Sequence, residues 1–170
     1  MNSKTKAVFL DRDGVINHDK TYVYKKEDFE FCDGVFEVLR YLQDKGYILI
    51  VVTNQSGIGR GYYKEEDFQK LTEFMLEELK KEGIEIKKVY HCPHLPESGC
   101  ECRKPSPKML LDAKKEFDID MQNSIMIGDK KSDIQVGKNA KVGKTVFIGK
   151  DCEAEADLCI QKISQLPKLI

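Results

Sequence analysis

The sequence predicts an α/β fold, a parallel sheet doubly wound by helices in the Rossmann-like manner. Three observations predict it. Short apolar, β-branched runs alternate with longer amphipathic stretches. One run, Ile48 to Val52, is apolar at every position, as a strand buried on both faces should be. Polar residues capable of chemistry follow three of these runs directly. A chain of 170 residues suits one domain, 1–170, with a single substantial core.

The elements follow in order. Ala7–Leu10 reads as the first strand. Val35, Val38, Leu39 and Leu42 recur at helical spacing and stop at Gly46. The run from Ile48 is the second strand. Phe68, Leu71, Met75 and Leu79 mark one face of a second helix, ended by Gly83. Lys88–Tyr90 is a weaker third strand. Ser106 and Pro107 predict a helix start, with serine as N-cap and proline at the first helical position. Ile125–Ile127 and Thr145–Ile148 are the fourth and fifth strands. The stretch after Lys150 is less regular, and packing is the one role expected of it.

Composition narrows the function classes. Lys and Arg number 28 against 29 Asp and Glu, a net charge of -1, without the basic excess of a general nucleic-acid binder. No apolar run approaches the length that crosses a bilayer. Met1 to Lys6 lead straight into a strand pattern and carry no signal-peptide core, so a cytoplasmic protein is expected. With no helix or heptad left over, a monomer is expected.

In a parallel sheet, ligands collect beyond the carboxyl ends of the strands. Asp11 and Asp13 follow strand one, Thr53 and Asn54 strand two, and Asp129 strand four; Arg103 and Lys104 lie in the loop after strand three. Folding should gather the three aspartates, whose repulsion calls for a cation. Magnesium, held by one or two carboxylates, waters and a phosphate oxygen, fits. One mechanism uses every part. Asp11 attacks phosphorus, and Lys104, Thr53 and the metal offset charge on the transferring group. Asp13 protonates the leaving oxygen and then takes a proton from the hydrolytic water. Singly, each motif is commonly a turn or a solvated loop; their order at successive strand ends carries the inference.

Six cysteines are present, and Cys92-Pro93-His94 with Cys100-Glu101-Cys102 form a C-x-H…C-x-C set. Such donors suit tetrahedral zinc, and four protein ligands leave no open position, so the zinc is expected to be structural. The loop 92–102 would then aim Arg103 and Lys104 at the substrate. His91 is out of step with the set and is expected to be a non-ligand. Cys32, Cys152 and Cys159 are expected to be ordinary buried or half-buried residues.

Asp11-Arg12-Asp13-Gly14-Val15, Thr53-Asn54-Gln55, Lys104 and Gly128-Asp129 through Asp133 together resemble the four motifs of the haloacid dehalogenase-like phosphatases. The resemblance runs from about Lys6 to Ile148. It implies Asp11 as nucleophile and Asp13 as acid and base. It further implies magnesium on Asp11, the Asp13 carbonyl and Asp129, with Asp133 behind them. Gaps between motifs are too short for the large cap domain of bigger members, so a small substrate in a fairly open site is implied. The zinc set with Arg103-Lys104-Pro105 resembles two groups within that family, those acting on heptose bisphosphate and on histidinol phosphate. Asn54 to Tyr63 and Asn17 to Val23 resemble the heptose group; the five-residue spacing from His94 to Cys100 resembles the histidinol group. The favoured expectation is removal of the 7-phosphate of heptose 1,7-bisphosphate, in nucleotide-activated heptose synthesis, with histidinol phosphate as the alternative. Glycines 57, 59 and 61 would let backbone approach the sugar. The resemblance adds Arg12, Asp19, Lys20, Thr21, Tyr22, Asn54, Gln55, Ser56, Arg103 and Lys130 as substrate contacts, with Arg103 on the second phosphate. A phosphoacceptor signalling domain and a zinc-finger nucleic-acid module are the rival classes.

Overall fold

The computed structural model describes residues 4–170; the start of the N-terminal segment, Met1 to Ser3, lies outside the described residues. Six strands form one sheet in the order β3-β2-β1-β4-β5-β6: β1 Ala7–Leu10, β2 Ile48–Asn54, β3 Ile86–Cys92, β4 Ile125–Gly128, β5 Lys144–Ile148 and β6 Leu158–Ile160. Every pairing is parallel. The chain winds outward from β1 to β3, then returns to place β4 on the other side of β1. The β1/β4 boundary is therefore a topological switch point, where crevices open in doubly wound sheets.

Side-chain alternation along a strand divides the core. Val8 and Leu10 of β1 join one apolar cluster with Leu49, Val51 and Ile127, covered by α1 (Val35–Asp44) and α3 (Glu65–Lys81). Ala7 and Phe9 face the other cluster with Ile50, Val52 and Met126, covered by α4 (Lys108–Phe117) and α5 (Lys131–Asn139). All four residues of β1 are fully buried. A one-residue slip would exchange its two faces, so burial on both sides fixes where Asp11 emerges.

The differences from the sequence reading have local causes. β2 runs on through Thr53 and Asn54, because their backbones continue the ladder to His91 and Cys92 of β3. The α4 helix begins at Lys108 with Pro107 as its cap, and Ser106 instead turns its hydroxyl to the Glu101 carbonyl. The tail is more than packing: β6 adds a sixth strand beside β5, and the 3-10 turn Ile163–Lys168 seals the α1 side with Ile163 and Leu166. Cys152 and Cys159 are exposed rather than buried, and their sulfurs sit within bonding reach across the β5–β6 connection. Cys152 lies between Asp151 and Glu153 in a polar turn, and in β6 the alternation that buries Ile160 turns Cys159 outward. Cys32 is half-buried, as expected, and burial pushes its thiol up to about 11.

Candidate active site

Asp11 leaves β1 at the switch point. Its Oδ1 accepts the Arg12 backbone N–H at 2.8 Å and meets Lys104 Nζ at 3.1 Å, which orients the carboxylate. Lys104 arrives from the loop after β3. Its ammonium also donates to Asp133 Oδ1 at 2.7 Å and to the Val52 carbonyl at 2.9 Å, so all three of its protons are engaged. Asn54 holds that loop in place: its side chain accepts from Lys104 N–H at 3.0 Å and donates to Lys104 C=O at 3.3 Å.

Asp133 is fully buried at the start of α5, with its Oδ2 accepting the Lys130 N–H at 3.1 Å. Gly128 permits this, because a Cβ there would collide with the Asp133 side chain. Asp129 faces Gly14, which has φ +88°, and a Cβ at Gly14 would collide with the Asp129 carboxylate. One carboxylate oxygen from each of Asp11, Asp129 and Asp133 lies within 4.8 Å of the other two.

Asp13 projects beside Asp11. Its Oδ1 accepts from Arg12 Nη2 at 2.8 Å and Asn17 Nδ2 at 2.9 Å, and its Oδ2 accepts from Gln55 Nε2 at 3.3 Å. The same amide nitrogen donates to Thr53 Oγ1 at 2.9 Å, and Tyr63 Oη donates to Gln55 Oε1.

Asp11, Asp13, Gln55, Lys104 and Asp133 border a cleft of about 260 Å³, room for a small metabolite, and Asp129 lies outside its lining. Among the residues singled out in the sequence, Asp11, Asp13, Asp19, Thr21, Tyr22, Asn54, Gln55, Ser56, Arg103, Lys104 and Lys130 line it. Arg12 does not: its buried guanidinium turns to Asp13 and the Val23 carbonyl. Lys20 turns outward to Glu30 at 3.2 Å. Thr53 is buried beneath Gln55. Two glycines serve protein neighbours rather than open space. Gly57 makes room for the Tyr63 ring and Gly59 for the Pro93–Leu95 backbone; nothing lies against Gly61.

Residues 11–147 match the family model of haloacid dehalogenase-like hydrolase. The chain belongs to the haloacid dehalogenase-like hydrolases. This hydrolase is 62% identical over 148 residues to the D-glycero-alpha-D-manno-heptose-1,7-bisphosphate 7-phosphatase of Campylobacter jejuni, covering 87% of this chain and 85% of that one. It is 51% identical over 149 residues to the D-glycero-beta-D-manno-heptose-1,7-bisphosphate 7-phosphatase of Helicobacter pylori, covering 87% and 86%. Among solved structures, the D,D-heptose 1,7-bisphosphate phosphatase of B. bronchiseptica, complexed with magnesium and phosphate, superposes with a TM-score of 0.86 at 24% identity, covering 96% and 97%.

The electrostatics of the hydrolase's carboxylate cluster fit a hard cation. Burial, then the charge of Asp133, pushes Asp11 up to about 7 despite Lys104. Burial, then Asp11, pushes Asp129 up to about 6. Burial pulls Lys104 and Lys130 down, but the surrounding carboxylates outweigh it and hold both above the usual lysine range. Lys130 reaches Asp129 at 3.4 Å and Asp19 at 3.5 Å. Oxygen donors of this kind, open to a cleft, suit magnesium.

The second donor set gathers as well. Cys92 ends β3, and its sulfur lies 3.6 Å from Cys100 Sγ and 3.5 Å from His94 Nδ1; Cys102 Sγ lies 3.4 Å from that nitrogen. The edges of a zinc tetrahedron are about 3.8 Å between sulfurs and about 3.5 Å between sulfur and nitrogen, from bond lengths of about 2.3 and 2.0 Å. Cys92 and Cys102 sulfurs are within bonding reach of each other. Each of Cys92, His94, Cys100 and Cys102 offers one donor atom within 4.8 Å of the others, so the four could hold one metal ion. His91 stays out of the set, stacked on Phe68 and paired with Glu65 at 2.7 Å.

Tyr63 and Ser132 also line the cleft and were not singled out in the sequence. Ser132 adjoins Asp133 in the α5 capping turn, a signal that was available. Tyr63 carries no local signal; it reaches the cleft because the chain turns back after α2 (Ser56–Gly59).

Proposed function

We propose that this chain removes the 7-phosphate of D-glycero-D-manno-heptose 1,7-bisphosphate through a phosphoryl group carried on Asp11. The observation that carries the chemistry is the buried lattice of Asp11, Lys104 and Asp133 beside Asp129 at the sheet switch point. The substrate rests on the relatives, which are named as heptose bisphosphate phosphatases at 43–62% identity.

Asp11, Asp129 and the Asp13 carbonyl would hold magnesium, with Asp133 supporting Lys104 from behind. Bound there, the metal would supply positive charge to the phosphate oxygens. An Asp11 oxygen forms the new bond to phosphorus while the phosphorus bond to the sugar oxygen breaks. Asp13 gives its proton to that departing oxygen. Asp13 then takes a proton from the water that attacks phosphorus, which frees inorganic phosphate and restores Asp11. Lys104 and the Thr53 hydroxyl offset charge on the transferring group. Zinc on Cys92, His94, Cys100 and Cys102 would pin the loop that carries Lys104 and Arg103.

Arg103 is the candidate for the second phosphate. It lines the cleft, and its buried Nη1 has no hydrogen-bond partner among the described residues. Asp19, Thr21, Tyr22, Asn54, Ser56 and Lys130 border the sugar's space. A phosphorylated sugar fits this polar cleft, and no described helix is long and apolar enough to cross a membrane. We place the protein in the cytoplasm as a monomer.

The deciding experiment compares phosphate release from both anomers of the bisphosphate with that from histidinol phosphate. The expected result is a clear preference for a bisphosphate, abolished in Asp11→Asn. In Arg103→Lys, kcat/KM for the bisphosphate should fall about 10- to 100-fold, the worth of roughly 1.5–3 kcal/mol in charged hydrogen bonds. Histidinol phosphate turnover should change little. Preferred turnover of histidinol phosphate, or equal losses on both substrates, would overturn the substrate reading.

A further inference from the structure

We propose that Tyr63 and Gln55 form an internal relay that positions Asp13 for proton transfer, so that the Gln55 amide is a strut of the protein rather than a ligand of the sugar. The inference rests on the role of Asp13 given above, and deepens it.

The Gln55 side chain is almost wholly buried, and its capacity is taken up by protein. Its Oε1 accepts the Tyr63 hydroxyl. Its Nε2 donates to Asp13 Oδ2 and Thr53 Oγ1, at 3.3 and 2.9 Å. Chemistry fixes which way round the amide sits. Only the nitrogen end can face a carboxylate, and the oxygen end then needs a donor, which the Tyr63 phenol supplies. Removing that phenol leaves the buried Oε1 without its donor and weakens the hold on the amide, which then rests on its nitrogen's bonds alone.

Tyr63 is itself fixed in place. It is buried, and its ring lies nearly parallel to Tyr24, 7° between planes and 5.0 Å between centroids. On another side it occupies the space that any Cβ at Gly57 would need. The ring is therefore clamped between the loop after Asp19–Tyr22 and the start of α2, with its hydroxyl aimed at one atom. Arg12 and Asn17 fix the other Asp13 oxygen. The relay thus settles the remaining rotational freedom of the carboxyl group. It also engages a lone pair of Thr53 Oγ1, leaving that hydroxyl's proton free to be donated.

The test uses leaving groups of different need. An alkoxide leaving from a sugar must be protonated by Asp13, whereas p-nitrophenolate leaves as a stable anion. Leaving-group release in the first turnover, by rapid mixing, isolates that step from hydrolysis of the intermediate. Tyr63→Phe keeps the ring and its stack, so its unfolding midpoint should stay within a few degrees of the parent's. It should slow the first turnover of heptose bisphosphate about tenfold, a part of the roughly 10²–10⁴-fold that general acid catalysis supplies. The loss on p-nitrophenyl phosphate should be about tenfold smaller, and KM should move less than kcat. Gln55→Leu should show the same split, and the double variant should lose no more than Gln55→Leu alone, as coupled members of one unit do. Equal losses on the two substrates, no loss, or additive losses would overturn the relay. Asp13→Asn separates the two levels. If it lacks the split, the acid-base role of Asp13 fails and the relay with it; if it shows the split and Tyr63→Phe does not, only the relay fails.

Discussion

Gly14 shows how much a single side-chain hydrogen decides at this site. Its φ of +88° favours glycine, and its α-hydrogens leave the space that the Asp129 carboxylate fills. Gly14→Ala would strain the backbone by about 1–2 kcal/mol and push Asp129 aside. The magnesium concentration giving half-maximal activity should then rise at least about tenfold, the equivalent of about 1.4 kcal/mol; a metal titration of phosphate release checks this. Asp11→Asn keeps the shape of the nucleophile without its ability to carry phosphoryl, so turnover should vanish while the folded circular-dichroism spectrum remains. Residual turnover above a few percent would remove Asp11 from that role. Asp11 and Asp129 were legible in the sequence because each is the first polar group after a buried run, so strand burial fixes where it emerges. Tyr63 was not, because nothing near it in sequence says that Tyr24 and Gly57 will clamp it. Arg12 and Lys20 stay out of the cleft lining for a related reason: Val23 and Glu30, ten or so residues on, draw their long side chains away.

At the scale of elements, the loop from Pro93 to Pro107 would be braced by a metal on its donors. Its exposed or half-exposed residues give it little core of its own, and it is tied to the sheet by Cys92, Asn54 and the Gly59 N–H to Pro93 C=O bond at 2.9 Å. Metal analysis of protein washed with a weak chelator should find about one zinc per chain, as one closed four-ligand site requires. Cys100→Ser should lower both zinc content and kcat/KM, because Lys104 and Arg103 share that loop. Retained zinc with normal activity would exclude this dependence. Strands with strong apolar runs were read at nearly their observed bounds. The ends of β2 and β3 were not, since a polar residue can extend a ladder without any hydrophobic signature. The α5 helix opens on Lys131, Ser132 and Asp133, and β6 is three residues long beside charged neighbours; both take their form from β4 and β5.

Across the whole molecule, the crowded carboxylates link stability to pH. Asp11 at about 7 and Asp129 at about 6 both sit above their ordinary 3.8. Between about pH 4 and 7 the folded chain therefore holds more protons than the unfolded one, and these two groups make stability fall as pH rises through that window. Magnesium replaces those protons, so its stabilising effect should grow toward pH 7–8. Unfolding midpoints measured with and without magnesium at about pH 5, 6, 7 and 8 check the sign; a metal-induced shift independent of pH would contradict it. The architecture also bears on how such proteins diversify. Asp11 and Asp129 stand at strand ends locked between two cores, while the groups facing the sugar come from loops 18–24, 54–63 and 93–105, which brace one another through the Tyr24–Tyr63 stack and the Gly59 N–H to Pro93 C=O bond. Mutational drift in these loops leaves the buried strands undisturbed, but a change in one loop is felt by the loops it touches. A lineage built on this plan would change which metabolite it accepts through paired changes in touching loops, with the nucleophile's strand left as it was.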